Sequence, residues 1–352
     1  GINGDFVTSP SLGPEFCELL SKQIEDWIEG LLTKNNDKLS IIDIGPGEAD
    51  LSFHLISALA KSCRSYLSQI EIVLVEINDG MKMRQQAKLS GFTNISIRWS
   101  TLNDLSKKPV NGIVIAHEIL DALPVERIIW KNNKLQMLGV KLINSNYRKY
   151  IKYSVLPLSG KVRNSILYAE SKLSFKIPPL NAPDNWITEW HISTDNWLKT
   201  IYSSIRKGPL LIIDYALNAQ NYYNSFKSEG TLLSYKNQKA SSNLLLNSGL
   251  TDITSHLCLE TLYLNAKKNG WQFIGERKQG LALLALGLAN ELYSIQKDYS
   301  DDVHSALSKR ENLLRLVDPQ SLGNFRWILF NKCAHNSDQK DATPMFLADN
   351  IN

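Results

Sequence analysis

Residues 41–51 read Ile41-Ile42-Asp43-Ile44-Gly45-Pro46-Gly47-Glu48-Ala49-Asp50-Leu51. A short apolar run ends in a Gly-Pro-Gly turn and passes straight into an amphipathic segment, Leu51 to Ala60. That order predicts strand, tight loop and helix. A second apolar run, Ile70 to Val75, follows and ends in Glu76. A glycine loop at the end of the first strand lets a ligand approach the backbone closely. An acidic residue at the end of the second can accept both hydrogen bonds of a ribose diol. Together they predict a nucleoside-containing cofactor lying across the strand ends.

The dinucleotide fingerprint requires glycines at the first, third and sixth loop positions. Here those positions hold Gly45, Gly47 and Asp50, so the third glycine is missing. An acidic residue there also opposes a pyrophosphate at a helix N-terminus. S-adenosylmethionine carries a sulfonium and an ammonium and no phosphate, and Glu48 and Asp50 are compatible with it. The loop therefore favours S-adenosylmethionine over NAD.

The chain of 352 residues is long enough for one large domain, or for one with an inserted subdomain. A net charge of +4 is mild, and the Lys and Arg residues look scattered, with no basic run interleaved with aromatics. Nucleic acid is therefore not expected as a partner. Cys17, Cys63, Cys258 and Cys333 lie far apart without a CxxC pair, and the six histidines show no zinc spacing. Reduced structural thiols and no metal site are expected. The strongest apolar stretch, Leu281 to Ala289, is too short to span a bilayer, so no membrane insertion is expected. The chain starts at Gly1 and opens directly into a motif, so a preceding segment is expected. Its richness in Asn, Lys and Ile suggests an AT-rich genome and a bacterial cytoplasm, or the mitochondrial matrix if the source is eukaryotic.

Helical spacing of Phe16, Leu19, Leu20, Ile24, Trp27, Ile28 and Leu31 predicts a helix over 10–34. Strands are expected at 39–44, 70–75, Ile95 to Trp99, Gly112 to Ala116 and Leu210 to Ile213, with a helix from Met81 to Ser90. This alternation implies a mostly parallel sheet with helices on both faces. Between the fourth and fifth strands the pattern turns to antiparallel hairpins, with Lys131-Asn132-Asn133 and Asn144-Ser145-Asn146 as turns. We divide the chain into a first core part (1–126), an inserted subdomain (127–190), a second core part (191–330) and a loose polar tail (331–352). Trp271 to Glu276 and Phe325 to Phe330 are expected to pair antiparallel as the last two strands.

The loop after the fourth strand reads His117-Glu118-Ile119-Leu120-Asp121-Ala122-Leu123-Pro124-Val125. Ligands of doubly wound sheets sit at the carboxyl ends of the strands. Glu118, Asp121 and His117 are therefore the candidate catalytic residues. Carboxylates bind a guanidinium bidentately and fix its plane. Helix capping is the plain alternative for Asp121. The opening Gly4-Asp5-Phe6-Val7-Thr8-Ser9-Pro10 is either a lid over the cofactor or a helix cap.

These motifs, taken in order, resemble the MidA family of S-adenosylmethionine-dependent methyltransferases. The resemblance runs through Gly4 to Pro10, Asp43 to Gly47, Val75-Glu76 with Arg84-Gln85, and Glu118 to Val125. It continues through Ile213-Asp214-Tyr215, Gly230-Thr231-Leu232, Asp252-Ile253-Thr254 and Leu322-Gly323-Asn324-Phe325. It implies a class I (Rossmann-like) α/β fold, a mostly parallel seven-stranded sheet with an insertion after the fourth strand. It implies cofactor contacts at Gly45, Pro46, Gly47 and Glu76, at Asp5, Thr8 and Ser9, and at Trp99 to Asp104 for the adenine. It also implies a protein substrate, since mitochondrial members methylate an arginine in a core subunit of respiratory complex I, and it is compatible with a homodimer. Two departures stand out: the Gly-Thr-Leu motif is followed by Leu233 where the family has Arg, and Gln238 stands where it has His.

The leading expectation is a protein arginine methyltransferase linked to assembly of a respiratory complex. The alternatives are an assembly factor that binds S-adenosylmethionine without turnover, and a methyltransferase for a small metabolite.

Overall fold

The computed structural model describes residues 7–32, 38–63, 65–144, 149–246, 248–297, 303–333 and 343–349. Its residues fall into two compact units, one of 1–119, 199–214 and 270–352, the other of 120–198 and 215–269.

The first unit is built on β1 (Leu39–Ile44), β2 (Ile70–Val75), β3 (Ser96–Ser100), β4 (Val110–His117), β5 (Ile205–Asp214), β6 (Gln272–Lys278) and β7 (Arg326–Lys332). They lie in the order β6-β7-β5-β4-β1-β2-β3. Every neighbouring pair is parallel except those of β7, which is antiparallel to β5 and to β6. This is the mostly parallel class I α/β sheet expected from the sequence, with the final antiparallel pair in place. β1 is buried along its whole length, as a central parallel strand must be. The chain runs from β1 outward to β2 and β3, then returns to β4 on the other side of β1. The order thus reverses beside β1, and the crevice for a ligand opens at such a reversal.

The long N-terminal helix divides at Gly13-Pro14 into Ser9–Leu12 and Glu15–Leu31. Phe16, Trp327 and Phe346 form an aromatic chain in the core, with centroids 5.9 Å apart for Phe16–Trp327 and 5.4 Å for Trp327–Phe346. Phe346 corrects the expectation of a loose tail. It is fully buried, its N–H donates to Gln23 Oε1 at 3.1 Å, and Arg277 donates to the carbonyls of Phe346 and Ala348. One aromatic ring among polar neighbours gives no periodic signal, yet burying it contributes about 1.5–3 kcal/mol.

In the second unit a four-stranded antiparallel sheet runs Lys149–Pro157, Lys134–Asn144, Glu126–Lys131, Trp186–Trp190. The first hairpin turns at Asn132 and Asn133, both at positive φ, the backbone of a type I′ turn. Helix Gly160–Lys172 buries Val162, Ile166 and Ala169 in a core with Ile128, Trp186, Tyr222 and Cys258. Through Tyr222 and Cys258, residues 215–269 group with this unit, which is thus wider than the 127–190 drawn from the sequence. Strands Leu233–Lys236, Lys239–Ser241 and Asp252–Thr254 form a small sheet that the sequence pattern does not announce. Runs of three or four residues are too short to establish a period.

Candidate active site

Three residues stand one step beyond the carboxyl ends of adjacent strands, each pinned by its own N–H. Gly45 donates to the Val75 carbonyl at 3.2 Å, Glu76 to Ser100 at 3.2 Å, and Glu118 to Ile213 at 2.9 Å. The strand ends are level, with Ile44 opposite both Val75 and Ala116. Neighbouring strands lie about 4.8 Å apart, so the ends of β2 and β4 are separated by about 10 Å across β1. Gly45 and Gly47 both have positive φ, and no atom lies within 4 Å of a Cβ built on Gly47. The loop is therefore open on the Gly47 side, as a cradle for a ligand backbone must be.

Glu76 is held from behind. Its Oε1 accepts from the N–H groups of Ile77 and Asn78, both at 2.8 Å, and its Oε2 accepts from Gln85 Nε2 at 3.0 Å. A carboxylate has about four acceptor positions. Three are taken, so the simple picture of two free positions for a diol is corrected to one full position plus shared ones. The next residue, Ile77, is an apolar side chain 88% exposed directly after the strand-end carboxylate.

Gln85 joins the pieces. Fully buried on helix Asp79–Leu89, it donates to the Gly47 carbonyl at 2.8 Å as well as to Glu76. Its Oε1 accepts from Trp99 Nε1 at 2.8 Å. One amide thus locks the glycine loop, the acidic strand end and the aromatic of β3. The sequence motif Arg84-Gln85 marks the position without revealing this role. Replacing Gln85 with Leu strips a partner from each of the three. It is expected to cost about 1–3 kcal/mol of stability and to weaken cofactor binding, read by denaturant unfolding and calorimetry. Unchanged values in both would show that the amide organises nothing.

Asp43, buried in β1 beneath the loop, accepts from Ser52 Oγ at 2.6 Å. Burial pushes its carboxyl up to about 6, and the Ser52 hydrogen bond offsets part of that rise. The native state therefore holds this proton more tightly than the unfolded chain, whose Asp titrates near the ordinary 3.8. Stability from this group is highest below the unfolded value and falls as pH rises through about 4 to 6, by about 3 kcal/mol in all. Asp43→Asn keeps an acceptor for Ser52 and removes the charge. Its stability is expected to be flatter over that window and higher at pH 7, as measured by urea unfolding across pH. A parent and variant with parallel pH profiles would contradict this.

Glu118 sits at φ +51, a left-handed backbone that a non-glycine residue adopts at a cost. Its side chain is 12% exposed, and His117 Nδ1 lies 3.5 Å from Glu118 Oε1. His117 is packed edge-on by Phe16 and Phe325 at 5.5 and 6.3 Å. Burial pushes it down to about 3, so the imidazole is neutral near pH 7. A ring that stays neutral is poorly suited to act as an acid there, and its Nε2 has no hydrogen-bond partner among the described residues. The next residue, Ile119, lies against Gly45, where an added Cβ would overlap its side chain.

Asp121 belongs to the second unit. Its carbonyl accepts from Ser255 N–H at 3.0 Å, and its carboxyl is hydrogen-bonded by Thr254. Burial pushes that carboxyl up to about 6. Thr254 of the Asp252-Ile253-Thr254 motif thereby gains a role that its sequence did not disclose. In the same unit, Glu189 Oε2 accepts from Thr231 N–H at 2.8 Å, and Gly230 faces the Glu189 carboxylate. The Gly-Thr-Leu motif is thus anchored on a buried carboxylate. Gln238 has positive φ in the turn between Leu233–Lys236 and Lys239–Ser241.

The other residues named from the sequence are placed unevenly. Asp5 lies outside the described residues. The Thr8 N–H donates to Ser11 Oγ at 3.0 Å, a helix-start arrangement. Ser9 is fully buried and hydrogen-bonded to Gln279, which removes it from any lid. Trp99 is half-buried beside Gln85. Asp104 is exposed inside helix Leu102–Lys107; its carboxylate accepts from Thr101 Oγ1 at 2.7 Å, and its N–H donates back to Thr101 Oγ1, the cap of that helix. Glu48 pairs with Arg84 at 3.2 Å, and Asp50 pairs with Lys88. Both acidic loop residues are paired with cations of the neighbouring helix, so neither presents an uncompensated charge.

A family model for S-adenosyl-L-methionine-dependent methyltransferases, Methyltransf_28, matches residues 19–277. Among curated proteins, the chain is similar to the protein arginine methyltransferase NDUFAF7 homolog, mitochondrial, of Caenorhabditis elegans, with 24% identity over 362 residues. That match covers 94% of this chain and 76% of the worm protein. The mitochondrial protein arginine methyltransferase NDUFAF7 of Xenopus tropicalis is 29% identical over 150 residues, 36% of this chain and 34% of that protein. Two crystal structures of COG1565 superfamily proteins from Burkholderia thailandensis, one bound to S-adenosyl-homocysteine, superpose with TM-scores of 0.78 at 22% identity. Each covers 97% of this chain, matching 81% and 84% of those chains, and the likeness is one of fold.

Proposed function

The chain belongs to the Methyltransf_28 family of S-adenosyl-L-methionine-dependent methyltransferases, and from that premise we propose that it methylates an arginine nitrogen of a protein. The observation that carries the acceptor is Glu118, a mostly buried carboxylate on a strained backbone directly after β4. The names of the worm and frog relatives support the same acceptor.

Gly45, Pro46 and Gly47 admit the methionine part of the cofactor, and Glu76 takes the ribose. Ile77 and Trp99 provide apolar surface for the adenine, and Asp104 holds Thr101, the cap of the helix that follows Trp99. When bound, S-adenosylmethionine supplies an electrophilic methyl group on a cationic sulfur. Glu118 holds the guanidinium by charge-assisted hydrogen bonds, turns one nitrogen to the methyl, and offers a carboxylate oxygen to the proton that the nitrogen loses. Neutral His117 fixes the start of this loop among aromatic rings, and Asp121 anchors its far end on Thr254. Most of the rate gain comes from positioning.

A second reading, a cofactor-binding assembly factor without turnover, is favoured by Gln238. It has positive φ in a hairpin turn, at the position where the resemblance to the MidA family implies His. Calorimetry with S-adenosylmethionine, S-adenosylhomocysteine and NAD, followed by radiolabelled methyl transfer to arginine- and lysine-containing peptides and cell extract, separates the readings. Binding with arginine labelling supports the first. Binding with no labelled acceptor favours the second, and NAD binding alone sinks both. Among the described residues no helix is long and apolar enough to cross a membrane.

A further inference from the structure

Between Glu126 and Glu170 the chain carries nine cationic side chains and no carboxylate. The remainder, with thirty cations against thirty-five carboxylates, is net negative by five. The scattered basicity expected from the sequence is thus a local concentration. It escapes notice because the charges are spread over three strands and a helix rather than set in one run.

The segment builds the hairpin of Lys134–Asn144 with Lys149–Pro157. Strand Glu126–Lys131 supports it only as far as Met137, so 138–144 and 149–155 form a two-stranded ribbon with no further strand at either edge among the described residues. Such a ribbon is marginally stable by itself. On one face Val140 lies opposite Tyr153, and Leu142 opposite Ile151; Val140 and Leu142 are 56% and 58% exposed. On the other face Tyr150 and Leu156 are exposed, and Lys141 lies directly opposite Lys152. Like charges opposed across strands are unfavourable. Among the described residues no ion pair involves Lys141, Lys149 or Lys152.

We propose that this ribbon is a blade that docks the protein on an anionic lipid surface. The cations select negative headgroups, and the aliphatic and tyrosine side chains enter the boundary between headgroup and acyl chain. Both faces expose apolar groups. A protein partner lying flat against the ribbon covers one face, whereas a headgroup layer wets both. At the base of the blade a groove of about 560 Å³ continues the same chemistry, lined by Leu135, Leu158, Leu167 and Ile177 together with Lys134 and Arg163. This contact is peripheral and calls for no membrane span.

The test is co-sedimentation of the full chain with vesicles of phosphatidylcholine alone and of phosphatidylcholine mixed with phosphatidylglycerol. Binding is expected on the mixed vesicles only, and is expected to fall as salt is raised. Changing Lys141→Glu, Lys149→Glu and Lys152→Glu together should weaken it about a hundredfold. Val140→Ser with Leu142→Ser keeps the charge and should weaken it about tenfold. Circular dichroism and thermal unfolding confirm that the variants fold. Equal uptake on both vesicles, no uptake, or a charge-reversed variant that binds like the parent overturns the proposal. So does binding of polyglutamate or a single-stranded oligonucleotide at a salt concentration where vesicles are left unbound, which assigns the blade to a protein or a nucleic acid.

Discussion

With Gln at position 118, S-adenosylmethionine should bind as tightly as to the parent chain, while methyl transfer to an arginine acceptor falls about 10²-fold or more. Gln keeps the size of the side chain and one acceptor oxygen. It loses the negative charge proposed to hold a guanidinium. A binding titration and radiolabelled transfer on the same preparation separate the two effects. Equal transfer rates would refute the arginine-directed mechanism. Glu118→Gly adds a second view. At φ +51 glycine is unstrained, so relief of strain offsets the extra entropy of the unfolded chain, and stability should hold or rise. Stability kept while transfer is lost is the signature of strain held for function.

Gly45→Ala is expected to damage both halves of the site. At φ +66 an alanine is strained by about 1–2 kcal/mol, and its methyl would overlap the Ile119 side chain. Ile119 follows Glu118 directly, so a displaced Ile119 also moves the loop that presents the carboxylate. Cofactor affinity should fall about tenfold or more, with transfer falling further. Adding Ile119→Ala should recover the part due to overlap and leave the part due to backbone strain. Calorimetry on the four members of that cycle measures the coupling. If Gly45→Ala binds the cofactor like the parent, the loop is not its cradle.

The strand-loop-helix at 39–60 and the acidic end of β2 are readable because each carries its own local signal: an apolar run, a forced turn, a charge where the run stops. The parallel order and the antiparallel last pair follow from where those runs fall. What the sequence hides is pairing at a distance. Nothing local says that Gln85 touches Gly47, Glu76 and Trp99 at once. Nor does it say that the tempting His117 is packed dry against Phe16 and Phe325, or that Ser9 is held by Gln279. Glu48 and Asp50 read as a negative field until helix Asp79–Leu89 brings Arg84 and Lys88 to them. The concentration of charge in the hairpin, by contrast, could have been found by counting signs between Glu126 and Glu170.

The place of β7 between β5 and β6 has a consequence for synthesis. The run Leu210 to Ile213 of β5 emerges from the ribosome more than a hundred residues ahead of Trp327, the residue it will pair beside. At about 5–20 residues per second, that apolar edge waits on the order of ten seconds without its neighbour. The second unit, contained within 120–269, has all its residues available during the wait. The first does not, since Gln23 meets Phe346, 323 positions further along the chain, only when that stretch has been made. The nascent chain thus has every residue of its second unit while an apolar sheet edge of the first is still open, a state in which a growing protein depends on chaperones.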